Sequence, residues 1–141
     1  MADKHAKKLG RLLRVRTLQL DMTRAGEVAA REKVSNEEAL RARIAQLAQG
    51  VAPAPAPAPG SATTLIAAAH YRERLHQSAA AAERRVAEAQ RGLDHARAAT
   101  QEAKRDQSAI EKLIDRAQTN AARKAMRALE DMPATIKKRF D

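Results

Sequence analysis

The sequence predicts an all-α protein in which two long helices pair as an antiparallel coiled-coil hairpin. Three observations support this fold: aromatic side chains are almost absent, alanine dominates the apolar residues, and apolar positions repeat with a heptad period. Hydrophobic residues make up 44% of the 141 residues, yet the chain contains one Tyr, one Phe and no Trp. Because alanine buries little area and strands favour bulky residues, sandwiches, barrels and doubly wound sheets are excluded.

The first segment, residues 1–49, is predicted to form the first coiled-coil helix, with a basic amino terminus. Apolar residues repeat every eleven positions, a spacing that gives a nearly straight stripe: Leu18, Ala29, Leu40 and Val51. Charged residues intrude on the slots of a heptad: Glu27, Glu37 and Arg41. We therefore expect this helix to be the more mobile of the two.

Residues 50–60 form a Pro/Ala-rich hinge in which proline alternates with alanine from Pro53 to Pro59. Proline removes backbone donors and favours an extended, stiff conformation, which suits a spacer between helices. Binding of this segment to a proline-recognition domain is the alternative.

The second segment, residues 61–132, is predicted to form a longer coiled-coil helix that stops at Pro133, followed by a basic tail, residues 133–141. Steps of four and three define a seam in which twelve of fourteen residues are apolar: Leu75, Ala79, Ala82, Val86, Ala89, Leu93, Ala96, Thr100, Ala103, Gln107, Ile110, Ile114, Ala117 and Ala121. The alanines let a partner backbone approach closely, so we expect a thin rod.

A hairpin that pivots near Ala56 places residue n opposite about residue 112 − n, so that Leu9 faces about Ala103. The second helix then has no intrachain partner beyond about Ile110. An apolar stripe is left unpaired there: Ile110, Leu113, Ile114, Ala117, Met126, Leu129 and Met132. An exposed stripe of this kind usually binds another chain.

The formal net charge is +10, and the excess of basic residues lies at both chain ends. This distribution predicts an acidic partner near the termini. Nucleic acid is not the expected partner, because leucines interrupt the amino-terminal basic cluster and few aromatics are available for base stacking. The uncharged stretch between Arg43 and Arg72 contains four prolines, so no membrane span is expected. Charge within Leu9–Arg14 interrupts the apolar core that a secretion signal needs.

Residues that carry chemistry are sparse. The chain has no cysteine, its four histidines lie at no metal-binding spacing, and its five glycines form no phosphate-binding loop. Two paired helices also offer no concave site in which a carboxylate could act as a general acid or base. We therefore expect no enzymatic activity, no cofactor and no bound metal.

The sequence resembles the FliJ family, the small coiled-coil component of the bacterial flagellar type III export apparatus. The resemblance lies in three segments: Leu9–Gln19, which is rich in leucine and arginine, His70–Leu75 at the start of the second helix, and Ile110–Arg116 near the carboxyl end. The Pro/Ala hinge and the Met132-Pro133 stop depart from the family.

The resemblance implies a stalk-like hairpin that binds the hexameric export ATPase, contacts the export gate protein and escorts substrate chaperones. The protein would be cytoplasmic and peripherally associated with the inner membrane through this apparatus. By position, the gate-binding surface would contain Tyr71 and Leu75. The ATPase-binding tip would contain three residues of each helix: Leu9, Leu12, Leu13, Ile110, Leu113 and Ile114. The alternatives are a homodimeric coiled-coil scaffold and, less favoured, a basic nucleic-acid-binding coiled coil.

Overall fold

The computed structural model describes residues 2–50 and 62–134, and over these residues the protein is all-α, as the sequence predicts. Helix α1 is Ala2–Gly50 and helix α2 is Ala62–Glu130. The two helices contact each other as a helical hairpin, and the described residues contain no strand. Residues 51–60 of the predicted hinge and residues 135–141 of the predicted tail lie outside the described residues.

The carboxyl end of α2 agrees with the predicted stop. The amide of Asp131 donates to the carbonyl of Arg127 at 2.9 Å, and the amide of Met132 donates to the carbonyl of Leu129 at 3.4 Å, which tightens the last turn. Pro133 then ends the helix, because proline has no amide hydrogen and disfavours helical geometry at the residue before it.

The chain divides into two compact units. The central unit is Met22–Gln101, and the terminal unit combines Met1–Asp21 with Glu102–Asp141. Each unit therefore contains a length of α1 and a length of α2.

In the central unit, a small cluster of buried residues joins the helices. Val34 of α1 packs with Ala89 and Leu93 of α2, and Ala30 packs against their edge. Polar contacts between α1 and α2 lie along the same pairing: Glu27 with Arg97 at 3.9 Å, Glu37 with Arg85 at 3.5 Å, Glu38 with Gln90 at 3.5 Å, and Arg41 with Glu83 at 3.3 Å. From Glu27 with Arg97 to Arg41 with Glu83 the partner number falls as the α1 number rises, so the helices are antiparallel here.

The predicted register is wrong in the central unit. The residue numbers of the four polar pairs add up to between 122 and 128, whereas a pivot at Ala56 requires 112. The buried cluster supplies the reason, because the predicted register would place Val34 opposite Ser78 and not between Ala89 and Leu93. Apolar contacts along the helices therefore determine the pairing, and the midpoint of the hinge does not.

The heptad seam of α2 is confirmed. Every seam residue from Leu75 to Ala117 is buried or half-buried, and only the last, Ala121, is exposed. The eleven-residue stripe predicted for α1 is wrong, since Leu18 and Ala29 are exposed and Leu40 lies at the edge. The charged residues Glu27, Glu37 and Arg41 do occupy heptad slots, as predicted. Gly10, Thr17 and Glu38 are half-buried beside the seam of α1. The seam itself follows steps of four and three: Leu9, Leu13, Arg16, Leu20, Thr23, Glu27, Ala30, Val34, Glu37, Arg41, Ile44 and Ala48.

Candidate partner-binding surfaces

In the terminal unit, Arg16 and Thr17 of α1 make polar contacts with α2. The guanidinium of Arg16 donates to a carboxylate oxygen of Asp106 at 3.1 Å and to the side-chain oxygen of Gln19 at 3.1 Å. The amide of Gln107 donates to the hydroxyl of Thr17 at 3.0 Å. The residue numbers of these two cross-helix pairs add up to 122 and 124, so α1 pairs with α2 farther towards its carboxyl end than predicted.

The predicted unpaired stripe is therefore partly wrong. Ile110, Ile114 and Ala117 are half-buried, because the first turns of α1 lie at their level. The other predicted members of the stripe are exposed: Leu113, Met126, Leu129 and Met132. With the observed pairing, the uncovered length of α2 in this unit starts near residue 122, well beyond Ile110.

The six residues predicted for the ATPase-binding tip all lie in the terminal unit, but the structure divides them by exposure. Four of them contribute to the seam and are buried or half-buried: Leu9, Leu13, Ile110 and Ile114. Leu12 and Leu113 are 43% and 45% exposed. Only these two can contact a partner without separating the helices, so the accessible part of the tip is one leucine on each helix.

Leu12 and Leu113 lie at the same level. Their residue numbers add up to 125, which is within one helical turn of the pairing set by Thr17 and Gln107. Both occupy the flank of their helix next to the seam, one step from Leu13 and Ile114. Each helix thus presents one accessible leucine at this level, and the pair is called the apolar patch below.

The terminal unit also carries most of the charge. Its sequence contains 16 basic and 9 acidic residues, a formal net charge of +7, whereas the central unit contains 11 and 8, a net charge of +3. The apolar patch of Leu12 and Leu113 is therefore set in a basic unit. This combination suits a partner surface with an apolar centre and acidic surroundings.

The residues predicted to contact the gate lie in the central unit. Tyr71 is 46% exposed, while Leu75 is half-buried in the seam of α2. Leu65 and Ile66, which sequence reasoning missed, are both exposed near Tyr71 along α2. The signal that could have found them is the absence of Asp, Glu, Lys and Arg from residue 44 to residue 71.

The seam of α1 in the central unit contains acidic groups that α2 partly neutralises. The side chain of Glu27 is 18% exposed and lies 2.9 Å from Arg31 and 3.9 Å from Arg97. The side chain of Glu37 is 17% exposed, and its Oε2 accepts no hydrogen bond although Arg85 Nε lies 3.5 Å away. These contacts make the seam more polar on α1 than on α2.

Within residues 2–50 and 62–134, no helix is long and apolar enough to cross a membrane. The same residues contain no group of three His, Cys, Asp or Glu side chains that could hold a metal ion. No family model, curated protein or solved structure gives a significant match to the chain. The resemblance to the FliJ family therefore stays a prediction that rests on the sequence motifs alone.

Proposed function

We propose that this protein is a non-enzymatic component of the bacterial flagellar protein export apparatus. It binds the hexameric export ATPase through the terminal unit, contacts the export gate protein through the central unit, and escorts substrate chaperones. The proposal combines the resemblance to the FliJ family with the chemistry of the two units. In this role the protein acts on the cytoplasmic side of the inner membrane.

The observation that carries the proposal is the accessible pair Leu12 and Leu113 in a unit of net charge +7. Basic side chains accelerate the encounter with an acidic pore entrance, because long-range attraction raises association rates. The two leucines then lose contact with water, and buried apolar anchors at the centre of an interface usually supply most of the affinity.

Tyr71 supports the second contact of the proposal. It is the one tyrosine of the chain, it is 46% exposed, and Leu65 and Ile66 beside it are exposed as well. A tyrosine loses little side-chain entropy when it is bound and provides both an apolar ring and a hydroxyl, which suits an interface. Leu75 is assigned a supporting role, since it is half-buried against α1.

The experiment is a deletion of the gene in the bacterium that encodes it, followed by complementation. Deletion is expected to reduce flagellar export and swimming, and the wild-type gene is expected to restore both. A Leu12→Asp, Leu113→Asp variant should not restore them, whereas a Leu47→Asp, Leu40→Asp control, which alters leucines exposed in the central unit, should. Normal export in the deletion strain would contradict the proposal.

A homodimeric scaffold is the second candidate, and the exposed Leu65, Ile66 and Tyr71 favour it. Because the stretch around them carries no charge, two copies could meet there without electrostatic repulsion. Sedimentation equilibrium at micromolar concentration separates the candidates. A tight dimer that a Tyr71→Asp change dissociates would favour the scaffold, and a monomer would exclude it.

A further inference from the structure

The first turns of α1 present a narrow basic face. Five cations span an arc of about 120° on a helical wheel: Lys4, Lys7, Lys8, Arg11 and Arg14. All five side chains are exposed. Leu9 and Leu13, which face α2, lie on the other side of the helix, so this basic face points away from the seam.

Little intrachain charge opposes these cations. Asp3 lies 3.3 Å from Lys7, and no acidic residue occurs between Lys4 and Leu20. In residues 2–50 and 62–134, Lys7 is the one member of the five with an ion-pair partner. The face is therefore available for an external anion.

Two apolar residues continue the same face. Val15 and Leu18 are 52% and 62% exposed, and at 100° per residue both fall inside the arc of the five cations. They pack against no other part of the described chain closely enough to be covered. The face thus changes from basic to apolar within one turn after Arg14.

We propose that this face binds an anionic phospholipid surface, with the five cations at the phosphate level and Val15 and Leu18 in the boundary with the acyl chains. Basic residues near an anionic bilayer each strengthen binding, and short apolar side chains add burial. The inference uses the outward face of α1 and neither Leu12 nor Leu113, although its five cations also contribute to the net charge of the terminal unit.

The arrangement of the cations favours a lipid surface over a nucleic-acid duplex. A helix in the major groove meets phosphates on both of its flanks, and polar side chains at its centre read the base edges. Here the cations Lys4 and Arg11 occupy the centre of the face, and Val15 and Leu18 follow them where a duplex offers little apolar surface beyond thymine methyl groups. An anionic lipid surface, with its phosphates above the apolar acyl chains, matches both the central cations and the apolar residues that follow them.

The test is co-sedimentation of the full chain with vesicles at physiological salt. Wild-type protein should bind equimolar phosphatidylcholine–phosphatidylserine vesicles and not pure phosphatidylcholine vesicles. A Lys4→Gln, Lys8→Gln, Arg11→Gln variant should bind at least about tenfold more weakly, since each juxtamembrane charge contributes roughly a fivefold change. The matched control, Arg43→Gln, Arg84→Gln, Arg91→Gln, removes three exposed charges elsewhere and should change binding less than about threefold.

A Val15→Ser, Leu18→Ser variant supplies a second readout and should also weaken vesicle binding. Far-UV circular dichroism of each variant is expected to match the wild type, because all the altered side chains are exposed. Equal losses in the two charge variants would overturn the proposal, because they would show an effect of net charge alone. So would capture of the protein from vesicles by an equal phosphate concentration of duplex DNA.

Binding of the export ATPase by the same variants separates the lipid proposal from the proposed function. The Leu12→Asp, Leu113→Asp variant should retain vesicle binding, so a failure of the ATPase interaction leaves the lipid result interpretable. If the triple charge variant loses the ATPase and keeps wild-type vesicle binding, the basic face belongs to a protein interface and the lipid proposal is wrong.

Discussion

Charged side chains in the seam of α1 are the residue-scale feature that distinguishes this hairpin. Arg16, Glu27, Glu37 and Arg41 occupy seam slots, and each lies near an oppositely charged residue of α2. Exposed or half-exposed ion pairs each contribute about 1 kcal/mol or less, so these contacts hold the helices weakly. Their value lies in register, because a shift of one heptad would separate every pair.

Glu37 gives the clearest prediction at this scale. Its Oε2 is buried without a hydrogen bond, while its partner Arg85 is 58% exposed and would remain hydrated if the carboxylate were removed. A Glu37→Leu change should therefore raise the free energy of unfolding by about 1–2 kcal/mol. Urea denaturation, monitored by circular dichroism, measures this change in the free energy of unfolding.

The control is Glu32→Leu, at an exposed position one to two turns earlier on α1, where the change should stay within about 0.5 kcal/mol. A Glu37→Leu protein that is less stable than the wild type would show that the carboxylate stabilises the seam.

At the scale of the helices, the cluster of Val34, Ala89 and Leu93 anchors the central unit. Leu93 is 5% exposed and is the largest member of the cluster. A Leu93→Ala change should lower the free energy of unfolding by about 2–3 kcal/mol, because it removes buried methyl groups and leaves a cavity.

A matched truncation, Leu47→Ala at a leucine that is 50% exposed, should cost less than about 1 kcal/mol. Equal losses at the two positions in urea denaturation would contradict the central role of the cluster.

The two helices differ in how much of their packing the sequence could predict. The seam of α2 was predictable because its slots from Leu75 to Ala117 are apolar with two exceptions, Thr100 and Gln107. The seam of α1 was not, because charged residues fill several of its slots and the apolar leucines between them form a competing stripe. Apolar contacts with α2, such as that of Val34 with Ala89 and Leu93, cover this face of α1, and the charged seam residues then pair with charges on α2.

At the scale of the molecule, the register of the central unit is the feature that sequence alone could not supply. The midpoint of the hinge predicts the register poorly. The observed pairing shifts α1 along α2 by about 12 residues from the predicted one, which corresponds to about 18 Å. The candidate surface was predicted in part for the same reason. Leu12 and Leu113 are accessible, whereas Leu9 and Leu13 are covered by α2, and Ile110 and Ile114 are covered in the seam positions that the heptad gave them.

Cross-linking tests that register directly, because the chain contains no cysteine and every reactive thiol is an introduced one. A protein with Arg41→Cys and Glu83→Cys should be cross-linked within the chain by a short bismaleimide, since the native side chains approach to 3.3 Å. A protein with Arg41→Cys and Tyr71→Cys, the pair that a pivot at Ala56 would bring together, should not be. Cross-linking of the second protein and not of the first would contradict the observed register and support the pivot at Ala56.

The proposed function depends most directly on the pair Leu12 and Leu113. Isothermal titration of the purified export ATPase hexamer with the full chain gives the Kd for wild type, for Leu12→Asp, Leu113→Asp and for the Leu40→Asp, Leu47→Asp control. We expect a Kd at least about tenfold weaker for the patch variant and an unchanged Kd for the control. A patch variant that retains its helicity and binds the ATPase as tightly as wild type would contradict it.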